Sequence, residues 1–194
     1  MRSIKNYINE DGTTNLKSSF LSCEKDFETI LNRLFIEDKK FARELKKLLV
    51  VNTKDCLDNP KYDDIVDKLS VADLIEQGYI RLTPKIKLKE HEEVMSYIVI
   101  TLDNFTESIN PEFRDNTINF DVICNEEYWY LQDYKLRPFK IVGYIDGLLN
   151  KTKLTGIGIL NFYGCNMITR SEHLAGYNLS YLTYHGSDDI IQGN

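Results

Sequence analysis

Apolar residues recur at three- and four-residue steps between residues 24 and 51, where Phe27, Ile30, Leu31, Leu34, Phe41, Leu45, Leu48 and Leu49 fall on one helical face. Ser22 offers a start cap and Asn52-Thr53 a stop. The stripe skips at Asp38-Lys39-Lys40, so the segment reads either as one helix or as two joined by a turn. Asp58-Asn59-Pro60 marks a loop and a fresh helix start, followed by Tyr62, Ile65, Val66 and Leu69 on one face. Val71, Leu74 and Ile75 carry that face to Gly78, a natural helix end.

Beyond Gly78 helical spacing gives way to alternation. Tyr79-Ile80-Arg81-Leu82 and Ile86-Lys87-Leu88 read as short strands around Pro84, and residues 94–102 are rich in β-branched and aromatic side chains. Residues 116–124 alternate with Ile118, Phe120 and Val122 on one face. The segment 103–115 between them, with Asn110-Pro111, reads as a loop that is long for a hairpin. Arg137-Pro138 opens a helix to Asn150 that presents Ile141, Ile145, Leu148 and Leu149 to the sheet; close packing would account for Gly143 and Gly147 within it. Residues 156–163 and 176–184 are two further strands joined by a loop. The fold class is therefore α+β: N-terminal helices, then a small, mainly antiparallel sheet with a helix packed on one face. The divisions are a flexible arm at 1–22, a helical region at 23–78, an α+β domain at 79–186 and a flexible tail at 187–194.

Composition narrows the function. The chain has 194 residues, of which 42% are hydrophobic and 28% charged, which excludes wholesale disorder. Its net charge of -6 argues against a body-wide surface for DNA or anionic membrane, and the acidic excess falls after residue 100. No membrane span and no secretion leader are expected, so the product is expected in the cytoplasm. Cys23, Cys56, Cys124 and Cys165 form no C-x-x-C pair and read as buried thiols.

Candidate chemistry is sparse. His91, His173 and His185 lack metal-ligand spacing, and neither a nucleophile elbow nor a phosphate loop is present. Gly156-Ile157-Gly158 enters a strand where a phosphate loop would open a helix. Glu126-Glu127 and Asp188-Asp189 are adjacent carboxylates with no second ligand beside them, while Asp121 and Asp146 are the residues a metal-dependent nuclease would need. No enzyme activity, cofactor or metal is expected. The aromatic cluster Tyr128-Trp129-Tyr130 with Tyr134 and Phe139, beside Lys135, Arg137 and Lys140, fits a protein interface or a plug between helix and sheet, and fits single-stranded nucleic acid less well in this acidic half. The interface candidates are Trp129, Tyr130, Tyr134 and Arg137, with Arg114 from the segment between the first long strands.

The order of these elements carries a resemblance. The strand closing on N-F-D-V-I-C, the Arg137-Pro138-Phe139-Lys140 opening of a helix ending I-D-G-L-L-N, then L-T-G-I-G-I-L-N-F and L-A-G-Y-N-L-S-Y-L-T-Y-H-G resemble the tail-terminator and tail-completion proteins of tailed bacteriophages over residues 94–184. The resemblance implies a structural virion protein made in the host cytoplasm, self-assembling into a ring, a hexamer or a dodecamer, in the neck. Its neighbours would be other neck, portal-adaptor or tail-tube proteins, with DNA passing through and bound nonspecifically at most. It also implies that loops 103–115 and 164–174 meet neighbours or the channel. A non-virion assembly or regulatory binding protein is the alternative, and a nuclease ranks last.

Overall fold

The computed structural model describes residues 20–83, 96–108 and 114–184. Ile86 to Leu88, His91, Val94, Met95, Asn110-Pro111, His185 and Asp188-Asp189, with most of the arm and all of the C-terminal tail, lie outside the described residues.

The N-terminal amphipathic run is two helices. Helix α1 (Cys23–Asn32) passes into one π-helical turn (Arg33–Glu37) and stops at Asp38, whose extended backbone starts α2 (Lys39–Val50). The Asp38 carboxylate accepts from the backbone N–H groups of Lys40 and Phe41 at 3.1 Å, which is why the apolar stripe skips there. Asn59 caps a short turn into α3 (Asp63–Asp67). Ser70 and Asp73 form a reciprocal capping box that opens α4 (Val71–Glu76). Gly78, at φ 80°, closes α4: Tyr79 N–H donates to the Leu74 carbonyl and Gly78 N–H to that of Ile75.

One six-stranded sheet follows, in the order β1-β2-β3-β6-β5-β4. The strands are β1 (Ile80–Arg81), β2 (Ser96–Glu107), β3 (Arg114–Asn125), β4 (Lys153–Leu154), β5 (Gly158–Thr169) and β6 (Leu174–Tyr184). The fold is α+β, and all pairings except the parallel β1–β2 contact are antiparallel. Helix α5 (Arg137–Leu149) lies on one face, with Ile141, Ile145, Leu148 and Leu149 buried as their spacing dictates.

That face and the N-terminal helices share one core. Ile30, Leu34, Leu45 and Leu48 from the helices meet Ile98, Phe120, Val122 and Leu179 from the sheet and Ile141 and Ile145 from α5. On the opposite face a smaller cluster gathers Tyr97, Val99 and Ile123, with the Arg81 guanidinium 3.7 Å from the centre of the Tyr97 ring.

Several sequence expectations need correction. The described residues of segments 103–115 and 164–174 lie mostly in strands: β2 and β3 extend into the first, β5 and β6 into the second. Both extensions pass through a bulge, near Asn104 in β2 and at Tyr163 in β5. An added methyl group at Gly143 or Gly147 meets nothing within 4 Å, so close packing does not account for these glycines. Cys56 and Cys124 are buried, but Cys23 is half-buried and Cys165 is exposed. No helix among the described residues is long and apolar enough to cross a membrane.

Candidate assembly surfaces

Arg137 is fully buried, which removes it as a surface anchor. Its Nε donates to the Tyr128 carbonyl at 2.8 Å, its Nη1 to Leu48 and Val51 at 2.6 and 2.9 Å, and its Nη2 to Thr53 at 2.9 Å. Two of these acceptors end α2, where helical carbonyls lack intrahelical partners and the helix dipole favours a cation. The planar guanidinium fork thus joins α2, the loop before α5 and the first turn of α5. Trp129 is also turned inward: it packs against the core, and its indole N–H donates to the Cys124 carbonyl at 3.1 Å.

The other two residues of that cluster face solvent. An isolated bridge pairs Tyr130 with Leu136, buried Leu131 pins the loop to the core, and Gln132 N–H donates to the Lys54 carbonyl. Between these anchors Asp133 and Tyr134 both adopt left-handed backbone, with φ of 56° and 59°. Consecutive left-handed residues other than glycine cost about 1–3 kcal/mol each and persist only when their surroundings dictate them. The result is a tip on which Tyr134 is 100% exposed and Tyr130 62% exposed. Arg114 sits elsewhere, its guanidinium 4.0 Å from the centre of the Phe20 ring, which itself packs edge-on against Phe105. It ties the lead-in to α1 onto the end of the β2–β3 hairpin.

A second surface went unnoticed in the sequence. Strand β5 carries no charged residue and no proline, and it holds Tyr163 and Met167 at 68% and 63% exposure, with Phe162 also exposed. Edge strands of this kind ordinarily carry lysine, proline or a cover that blocks pairing with another chain. Here the covering strand, β4, pairs only with Gly158 and Ile159. The signal was available as a twelve-residue run free of charge, hidden because Gly164-Cys165-Asn166 resembles turn chemistry.

The polar groups are held in pairs. Asp121 bonds Arg170 and accepts from Asn178 at 2.7 Å on the face away from α5, whereas Asp146 accepts from the Tyr181 hydroxyl at 2.9 Å on the α5 side. The sheet lies between the two carboxylates, so they do not share one metal ion. His173 Nδ1 lies 2.9 Å from Glu126, a contact that raises the imidazole pKa. Lys47 and Arg43 bind Asp63, and Arg43 also binds Asp67. No group of three metal-ligating side chains occurs among the described residues.

With this geometry in view, a comparison with family models matches the YomW family over residues 42–183. The chain belongs to the YomW family. The YomW name is phage-derived. Neither a curated protein nor a solved structure matches the chain. The YomW match begins within α2 and ends within β6, so it takes in the Arg137 contacts, the Tyr134 tip and all of β5, and leaves out α1.

Proposed function

We propose that this chain is a structural protein of a tailed-phage virion that assembles into a ring in the neck, as a tail terminator or head-tail connector. The observation that carries the reading is the uncharged β5 edge, a surface suited to another protein chain. The phage-derived family name and the order of two long strands, a helix and two further long strands (β2, β3, α5, β5, β6, with short β4 between α5 and β5) support it. Head-to-tail contacts close into rings when the rotation between neighbours permits. The acidic excess after residue 100 suits a passage through which DNA slides, because like charge keeps phosphates from sticking.

Native mass measurement and negative-stain images of the purified protein, with proteomics of purified virions, test this reading. A closed ring from a protein found in the particle is the expected result. A protein that stays monomeric at all concentrations overturns the ring, and one made during infection but missing from the particle is an assembly or regulatory factor instead.

A further inference from the structure

We propose that the free protein is a twofold dimer in which β5 pairs antiparallel with the β5 of a second copy, centred on Asn166. The other side of the sheet is closed where β2 pairs with β1 at Ile98 and Val99 and is buried at Ile100. On β5, Gly158 and Ile159 pair with β4, Leu160 bonds the backbone of Lys151 and Thr152, and Phe162 N–H bonds the Asn150 side chain. Past Phe162 no described strand lies outside β5, and Tyr163, Cys165, Asn166, Met167 and Thr169 are exposed. An open edge of this kind templates the addition of strands until something ends it. A twofold pair ends it at two chains, because each edge is consumed by the other.

The outward backbone groups follow from the pairing inside the sheet. Leu160 donates its N–H outward to the Thr152 carbonyl, so Thr183, opposite Leu160, turns its own backbone groups toward β3. The alternate residues of β6, Leu179, Tyr177 and Ala175, do the same, which leaves their partners Cys165, Met167 and Thr169 facing out. Those three side chains lie on the α5 side, where Leu179 joins the core and exposed Phe139 packs 4.6 Å from the Tyr177 ring. An apolar strip thus runs from α5 across Tyr177 to Met167 at the edge. Gly164, Asn166 and Ile168 lie on the opposite face.

Charge and register favour a second copy as the occupant. A twofold axis sets a strand beside itself, so a charge near the axis always meets its like; β5 has none, and Arg170 just beyond it is held by Asp121 of its own chain. Centring on Asn166 pairs Cys165 with Met167 of the other copy, twice, each pair exchanging both N–H···O bonds. It uses every residue from 163 to 169 and sets the bulge at Tyr163 opposite Thr169, the last residue of the strand. Pairing Cys165 with itself would bring the bulge opposite Met167, inside the paired length. Pairing Met167 with itself would spend Gly164 on Arg170, whose N–H already closes the turn onto the Leu174 carbonyl. On the face away from α5 the two Asn166 carboxamides meet, and each can both donate and accept. The pair has two identical ends, whereas a neck ring has a head side and a tail side. On the ring reading, assembly therefore exchanges this β5 partner for another.

A single engineered cysteine tests the pairing. Asn166 meets its own copy in a pair without backbone hydrogen bonds, where Cα atoms lie about 4.5 Å apart, inside the range a disulfide spans. In a Cys165→Ser background, Asn166→Cys is expected to give a covalent dimer and nothing larger on oxidation, while the Cys165→Ser parent and Ile168→Cys give none. Dimers from the double variant Asn166→Cys/Ile168→Cys but from neither single variant overturn the Asn166 register in favour of one centred on Met167. Native mass at low protein concentration is expected to show a dimer. A ring without cross-linked dimers overturns the pairing and leaves the ring reading intact. A dimer at every concentration supports the pairing and overturns the ring, whereas a monomer at every concentration removes both. Independently, Met167→Lys is expected to halve the native mass at low concentration with an unchanged far-UV circular dichroism spectrum. A dimer that persists in that variant overturns the pairing.

Discussion

Arg137 meets backbone carbonyls where a buried guanidinium more often meets a carboxylate, and those carbonyls have no other use for their lone pairs at the end of α2. Replacing Arg137 with Met leaves several buried acceptors unsatisfied, so chemical denaturation is expected to show a loss of about 3–5 kcal/mol. Arg137→Lys is expected to recover only part of that, because an ammonium cannot reproduce the fork. Arg-Pro at a helix start was legible in the sequence, but the burial of the arginine was not, since three of its four partners are backbone carbonyls more than eighty positions away. Tyr134 shows the converse: its type suggested an interface, yet its full exposure comes from two left-handed residues that composition does not announce. Asp26 adds a dependence on pH. Burial raises its pKa to about 6, so between the unfolded value near 4 and about 6 the folded chain holds a proton that the unfolded chain has released. Stability is therefore expected to fall as pH rises through that window, and Asp26→Asn is expected to flatten the profile in thermal melts recorded from pH 4 to 7.

At the scale of the element, α5 and the central strands were readable because their neighbours agree with their local pattern. The helix has a continuous apolar stripe, and β3, paired on both sides, alternates without interruption from Asn116 to Cys124. Strands β2 and β5 were cut short in the sequence reading for a physical reason: a bulge reverses the alternation, and period two is lost at the residue where it sits. Asp103-Asn104 and Gly164-Cys165-Asn166 imitate turns, and only the pairing partner shows them to be strand. Glycines divide by the same logic. Gly143→Ala and Gly147→Ala in α5 are each expected to raise stability by about 1 kcal/mol, because nothing crowds a methyl group there and glycine weakens a helix interior. Gly176→Ala is expected to disrupt the pairing of β3 with β6, since its Cβ would run into the Val122 carbonyl. Denaturant midpoints of the three variants check both directions.

For the whole molecule, one core holds both the helical and the α+β regions, so the boundary drawn after residue 78 marks a change of texture and leaves the packing continuous. If the proposed ring forms only from folded chains, it draws the equilibrium toward the native state, so that reading predicts a midpoint of thermal unfolding that rises with protein concentration, and a Met167→Lys change on the exposed β5 edge is expected to remove the rise. No periodicity in one chain carries this scale of information, because an edge is defined by the strand that fails to lie beside it. The Arg137 contacts bear on how far such a protein can be shortened or its parts exchanged. Three of the four carbonyls that receive its guanidinium belong to residues 48–53, outside the α+β region whose helix the arginine begins. A fragment comprising residues 79–194 would bury a cation with most of its acceptors removed. It is expected to remain unfolded by circular dichroism, and co-expression with residues 20–78 is expected to restore it. The α+β region is thus no interchangeable module: a recombination event that separated it from α2 would have to replace Arg137 in the same step.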